Sequence, residues 1–223
     1  MLLLFFAPQA APASPGFVNT ALVVADLWAP LNARGPADAV FWTEDQLYAW
    51  IDEAVKRFAR KHAAFVVYDT TITSAANTAD YNLPADHVCT FQADLNGKYL
   101  RARNVQEMDA LDASWPTAAA GVPQAFLEDT KGLVQLALYP PPNVANESLP
   151  VGLTMAKQPS TITRSSAILA APPVLRDYLT FYALAEARSA ETNASMDEVA
   201  GWYRKLVDQL DQVAEHLWST HGQ

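Results

Sequence analysis

The stretch Thr43-Glu44-Asp45-Gln46-Leu47-Tyr48-Ala49-Trp50-Ile51-Asp52-Glu53-Ala54-Val55-Lys56-Arg57-Phe58-Ala59-Arg60-Lys61-His62, with Phe65-Val66-Val67-Tyr68 just beyond it, decides the fold class, because the sequence changes its period there. Over 43–62, Leu47, Trp50, Ile51, Ala54, Val55 and Phe58 recur at helical spacing and trace one apolar stripe. Thr43 and Gln46 have the spacing of a capping box. Glu44 and Asp45 lie in the first turn and Arg57, Arg60 and Lys61 near the end, as the helix dipole prefers. Asp52 with Lys56 and Glu53 with Arg57 add pairs on the wet face, so these carboxylates read as solvated rather than catalytic. From Phe65 onward, 65–68 and 70–73 are rich in β-branched and aromatic residues, which is strand composition.

Working outward, the β character persists for about a hundred residues. Tyr81-Asn82-Leu83-Pro84 reads as a short extended piece. Residues 87–93 and 98–103 flank Asn96-Gly97, the dipeptide that tolerates the positive φ of a tight hairpin. A short helix is expected over 105–111, ending before Trp115-Pro116. Residues 124–128 and 133–139 surround Asp129-Thr130-Lys131-Gly132, and Val134, Leu136 and Leu138 alternate, which predicts a second hairpin. Pro140-Pro141-Pro142 stops it, and Val151, Leu153 and Met155 alternate in a last strand. Six or seven short strands of this kind suffice for a small sandwich or barrel.

Helix resumes after a polar linker at 157–166. Pro172-Pro173 opens a helix to about Ala190 that is apolar on several sides, through Val174, Leu175, Tyr178, Leu179, Phe181, Tyr182 and Leu184, so it is expected to be buried centrally or between subunits. Ser195 and Glu198 make another capping box, followed by Val199, Trp202, Tyr203, Leu206, Leu210, Val213 and Leu217 on one face, a second predicted core stripe. Upstream, 17–31 carries Val18, Ala21, Leu22, Ala25 and Trp28 at helical spacing until Gly35 and Pro36 interrupt it. These amphipathic ends need partners, and 43–62 supplies a complementary stripe. The expected fold class is therefore α+β: a discontinuous helical bundle, 17–63 with 165–223, around an inserted antiparallel β-rich domain, 64–164, of sandwich or barrel type, with an N-terminal arm at 1–16.

That arm opens with Leu2, Leu3, Leu4, Phe5 and Phe6 on a Pro- and Ala-rich stretch. It lacks the basic n-region and the apolar length of a signal peptide. It is either an end tucked onto its own core or an arm that docks on a neighbouring subunit. No segment is long and apolar enough to span a bilayer, and no membrane partner is expected.

Composition narrows the function. Hydrophobic residues make up 51% of the 223, enough for a real core, and 24 acidic against 15 basic side chains give a net charge of −9. That balance repels phosphate backbones and disfavours sequence-specific nucleic-acid readout. The single Cys89 excludes an intramolecular disulfide. His87 and Cys89 alternate on a strand, yet two ligands without a third make no zinc site. Asp69-Thr70-Thr71 lacks the glycine of an aspartic-protease loop, Gly121-Val122-Pro123 is a loop signal, and there is no phosphate cradle, nucleophile elbow or His-Glu helix motif. No catalytic residue, cofactor or metal is expected. Trp50 and Trp202 fall on predicted core stripes, whereas Trp42 and Trp115, in or beside loops, keep a carbohydrate platform open.

The order of these signals resembles the head-to-tail adaptor proteins of tailed bacteriophages and related gene-transfer particles, from about residue 17 to 217. The resemblance starts at Trp42-Thr43-Glu44-Asp45-Gln46-Leu47 and continues through Tyr81-Asn82-Leu83-Pro84, Asn96-Gly97 and Trp115. It then runs through Gly121-Val122-Pro123-Gln124-Ala125-Phe126 and Leu138-Tyr139-Pro140-Pro141-Pro142, and ends in two closing helices. It implies a non-enzymatic virion protein, assembled in the host cytoplasm, forming a ring commonly of twelve copies in the neck. Its partners would be the portal protein, a tail or nozzle protein, and genomic DNA passing through without sequence-specific binding. The apolar extension has no counterpart in the family pattern. Leu2, Leu3, Leu4, Phe5 and Phe6, with Phe181 and Tyr182, are the candidate subunit or portal interface. A tail terminator or nozzle ring is the alternative within virion parts, and a carbohydrate-binding or hydrolytic domain the alternative outside them.

Overall fold

The computed structural model describes residues 17–31, 42–128, 135–164, 168–170, 174–190 and 194–221. In chain order the elements begin β1 (Phe17–Asn19), α1 (Thr20–Trp28), α2 (Glu44–His62), β2 (Val66–Thr73), β3 (Asp80–Asn82) and β4 (His87–Leu95). They continue β5 (Lys98–Tyr99), β6 (Arg101–Ala102), α3 (Val105–Leu111), β7 (Ala125–Glu128) and β8 (Gln135–Tyr139), and end β9 (Pro150–Lys157), β10 (Ile168–Ala170), α4 (Val174–Ala190) and α5 (Ala194–His221). The chain divides into two compact units, 1–55 with 161–223, and 56–160. Its fold class is α+β, with helices from both ends and a β-rich middle.

In the helical unit, α1 starts later than the periodicity suggested. Phe17–Asn19 is instead a strand paired antiparallel with Ile168–Ala170. Asn19 caps α1, its Oδ1 accepting from the Ala21 and Leu22 amides at 3.0 and 3.4 Å. Val23, Val24, Leu27 and Trp28 are buried, and α4 lies against both α1 and α5. Helix α2 opens with the capping box that its sequence predicts: the Gln46 amide donates to Thr43 Oγ1 at 3.3 Å, and the Thr43 amide to Gln46 Oε1 at 2.8 Å. Of its stripe, Leu47, Ile51, Ala54, Val55 and Phe58 are fully buried and Trp50 is half-buried, each fully buried large side chain contributing about 1.5–3 kcal/mol. The segment expected to be a polar linker is anchored to α2. Arg164 pairs with Glu44 and Asp45 at 3.3 and 3.0 Å, and the Ile162 amide donates to Asp52 Oδ1 at 2.8 Å.

The β unit is a sandwich. One sheet has the order β2-β9-β4-β5, all antiparallel; the other has the order β3-β8-β7-β6, antiparallel except for the parallel β6–β7 pair. A single core lies between them, built from Tyr81, Leu95, Leu100, Phe126, Leu136, Leu138, Leu153 and Met155 among others. Alternate residues of β7 and β8, Leu127 and Ala137, face the other way and are covered by Met108 of α3, with Trp115 and Tyr139 beside them. The Asn96-Gly97 turn has φ of 51° and 79°, which is why this dipeptide stands there. The run predicted as one strand, 98–103, is two. The Leu100 amide still bonds Ala93 of the first sheet, and the next amide, Arg101, bonds Gln124 at 2.9 Å, so the chain changes sheets within one residue. The insert thus holds eight strands among the described residues, not six or seven.

Candidate functional site

Helix α5 carries the most informative surface. Among its described side chains it buries Ala200, Val207, Asp211 and Ala214, while Val199, Trp202 and Val213 are 38, 55 and 48% exposed. Tyr203, Leu206 and Leu210 between them are half-buried. The helix therefore turns Ala200, Val207, Asp211 and Ala214 inward, and of the stripe predicted as core Val199, Trp202 and Val213 lie at the surface. Small residues let α5 approach α4 closely, and the exposed large ones form an apolar patch.

The aromatic residues at this surface are continuous. Phe181 of α4 stacks on Tyr203 with ring centroids 6.1 Å apart, and Trp202 stands edge-on to Tyr203 at 5.0 Å. Phe181 is half-buried there. Tyr182 is 7% exposed and stacked on Tyr178 at 6.3 Å. Of the two settings expected for the broadly apolar α4, central burial holds: its own chain covers Leu175, Tyr178, Leu179, Ala183, Leu184 and Ala187. Leu2, Leu3, Leu4, Phe5 and Phe6 lie outside the described residues.

The β unit holds an open groove of ≈ 570 Å³ whose lining includes Lys98, Arg101 and Arg103, with Tyr99, Leu111 and Tyr139. Sequence reading missed it. The available signal was three bases within six residues of an acidic chain, but their convergence follows from the β5-to-β6 change of sheet.

Other singled-out groups are occupied structurally. Asp69 accepts from the Thr71 amide and hydroxyl at 2.8 and 2.6 Å across a bulge in β2, and pairs with Lys157 at 2.7 Å. The lysine, foremost, and Thr71 hold its carboxyl down at about 2, so it carries no proton at neutral pH. His87 Nε2 sits 3.0 Å from Thr90 Oγ1 and 3.3 Å from Glu128 Oε1. Burial pushes the Glu128 carboxyl up, but His87 and Thr90 outweigh it and leave it below its usual value. Burial, helped by the Glu128 charge, raises the Cys89 thiol. Among the described residues no group of three His, Cys, Asp or Glu could hold a metal ion.

Trp115, the residue on which a sugar platform depends, is half-buried, and its Nε1 donates to Asp109 at 2.8 Å. Asp112 accepts from Ser114 and from the Tyr139 hydroxyl at 2.9 Å, and these bonds, those from Ser114 foremost, hold its carboxyl below the usual value. A general acid for glycoside hydrolysis needs the opposite shift. Among the described residues no helix is long and apolar enough to cross a membrane.

The comparisons agree with this picture of surfaces rather than chemistry. No individually curated protein matches the chain. The family described as SU10 adaptor protein matches residues 22–222, which runs from within α1 through α2 and the whole sandwich to the closing helices. The chain therefore belongs to the SU10 adaptor protein family, structural adaptors of bacteriophage virions that join other virion components.

Proposed function

We propose that this protein is the head-to-tail adaptor of its virion, a multi-copy ring, commonly of twelve, seated in the neck between the portal and the tail or nozzle. DNA passes through the ring and is helped to stay in the head. The family match over residues 22–222 carries this reading. The large apolar stripe left outside on α5 supports it, because a monomer has no use for an exposed tryptophan flanked by Val199, Leu206 and Val213. Phe181 belongs to that surface through its stack on Tyr203, and the apolar residues 2–6 are proposed to dock on a neighbouring subunit or on the portal. Tyr182 supports the surface from beneath.

The charge distribution fits a protein that handles DNA without gripping it. Residues 1–55 with 161–223 hold six basic and fourteen acidic side chains, residues 56–160 nine and ten. A channel lined by the acidic unit repels the duplex and lets it slide. Mixing the full chain with its cognate portal and measuring mass tests the ring: a multi-copy complex is expected, and persistent monomers beside assembled portal overturn it.

A further inference from the structure

The basic groove and the apolar helix lie in different units of the chain, and each lacks what the other has. The groove carries Lys98, Arg101 and Arg103, and its wall presents Tyr99 and Leu111, 69 and 65% exposed. Among the described residues the Lys98 and Arg101 side chains have no hydrogen-bond or ion-pair partner, and Arg103 has only Glu107 at 3.4 Å. Helix α5 carries the stripe Val199, Trp202, Leu206 and Val213. Glu198 stands beside that stripe with Lys205 on the same flank, Asp197, Asp208 and Glu215 are exposed towards the other side of the helix, and Asp211 is buried, so that five acids stand against two bases along α5 as a whole.

We infer that the groove of one copy receives the α5 face of a second copy. The inference rests on the ring reading and names the contact that would close it. A helix with an apolar stripe laid into a groove by its large side chains is a recurrent mode of recognition, and the net acidic charge of α5 and of its unit draws that helix towards a basic rim. The two surfaces are different, so the contact is heterologous. Each copy gives its α5 to one neighbour and takes another's in its groove, which is the arrangement that closes into a ring. The exposed Leu111 and Tyr99 favour a protein occupant over a phosphate backbone, which has no apolar side chain to set against them.

Two surface variants of the full chain test this: a groove variant, Lys98→Glu with Arg101→Glu, and a helix variant, Trp202→Asp. Both substitute exposed side chains, and circular dichroism checks that both stay folded. Under conditions in which the unaltered chain assembles, each variant alone is expected to self-associate about tenfold or more weakly. Mixed, they should form a one-to-one complex and nothing larger, because the groove variant keeps its helix and the helix variant keeps its groove. Rings from either variant like those of the unaltered chain overturn the inference and leave the connector reading standing. So does a mixture of the two that stays monomeric. A groove variant that assembles normally but loses binding to a duplex DNA fragment overturns it too and makes the groove a nucleic-acid surface. Failure of the unaltered chain to assemble with its portal removes the ring reading itself.

Discussion

Gly152 shows how one residue can be fixed by its neighbours. The Tyr68 hydroxyl crosses over it to donate to Asp94 Oδ2 at 2.9 Å, and the other oxygen of the buried Asp94 accepts from the Gly97 amide at 2.7 Å. The hydrogen bond to Asp94, chiefly, raises the Tyr68 hydroxyl above its ordinary value. A Cβ on Gly152 would lie 2.2 Å from that hydroxyl oxygen and 2.3 Å from the carboxylate. Gly152→Ala should therefore cost about 1–3 kcal/mol by leaving a buried carboxylate short of a donor. Gly201 is the control: it lies inside α5 with nothing within 4 Å of the added carbon, so Gly201→Ala should stabilise by about 0.5–1 kcal/mol. Urea unfolding of the two variants checks both signs. The Asp69–Lys157 pair gives a pH dependence. A carboxyl held at about 2 instead of 3.8 stabilises the fold fully above about pH 4, and the contribution disappears as pH falls through about 2. After allowance for solvent screening this is about 1 kcal/mol. The stability gap between the natural chain and Asp69→Asn, measured by urea midpoints, should be present at pH 6 and vanish near pH 2.

At the scale of elements, legibility followed local determinants. Helix α2 was readable because cap, dipole and stripe all lie within its own residues, and Thr43→Ala should cost about 1 kcal/mol by thermal unfolding if the observed box carries its usual weight. The Asn96-Gly97 hairpin and the β7–β8 pair were readable because turn chemistry and alternation coincide, although the turn of the second, 129–134, lies outside the described residues. The β1–β10 pair was not, because a three-residue strand has no period of its own and Phe17–Asn19 continues an apolar pattern into the helix it precedes. The start of α5 at Ala194 likewise places Ser195 inside the helix rather than at its cap. More consequential is the face of α5. Periodicity identifies an apolar stripe but not what covers it, and Ala200 with Ala214, weak signals in any hydrophobicity count, turned out to be the inward face. Trp202→Ala should accordingly leave the urea midpoint of the monomer nearly unchanged while weakening assembly, a pattern opposite to that of a core tryptophan.

For the whole molecule the decisive quantity is where charge sits. The net −9 says nothing of where the charge lies: the helical unit carries fourteen acids against six bases, and the β unit is nearly neutral with a basic groove. The groove and the exposure of the stripe were illegible for the same reason: each depends on which residues meet in three dimensions, and no local period encodes that. The separation has a measurable consequence for the assembled particle. If the groove is filled by a neighbour's α5, its cations are covered at the contact and no longer offered to DNA. The Debye length is about 8 Å at 0.15 M ionic strength, so an acidic wall repels only a duplex that comes near it, which is what sliding without sticking demands. Assembled protein should therefore retain little duplex DNA in a gel-shift assay at about 0.15 M salt. Monomeric Trp202→Asp, whose groove is open, should bind the same fragment more tightly than the assembly does, with an affinity that falls as salt rises because three cations release counterions, giving a slope of about −2 to −3 in log affinity against log salt. Equal retention by both forms would mean that the groove stays open after assembly and that the charge separation does not govern how the protein meets DNA.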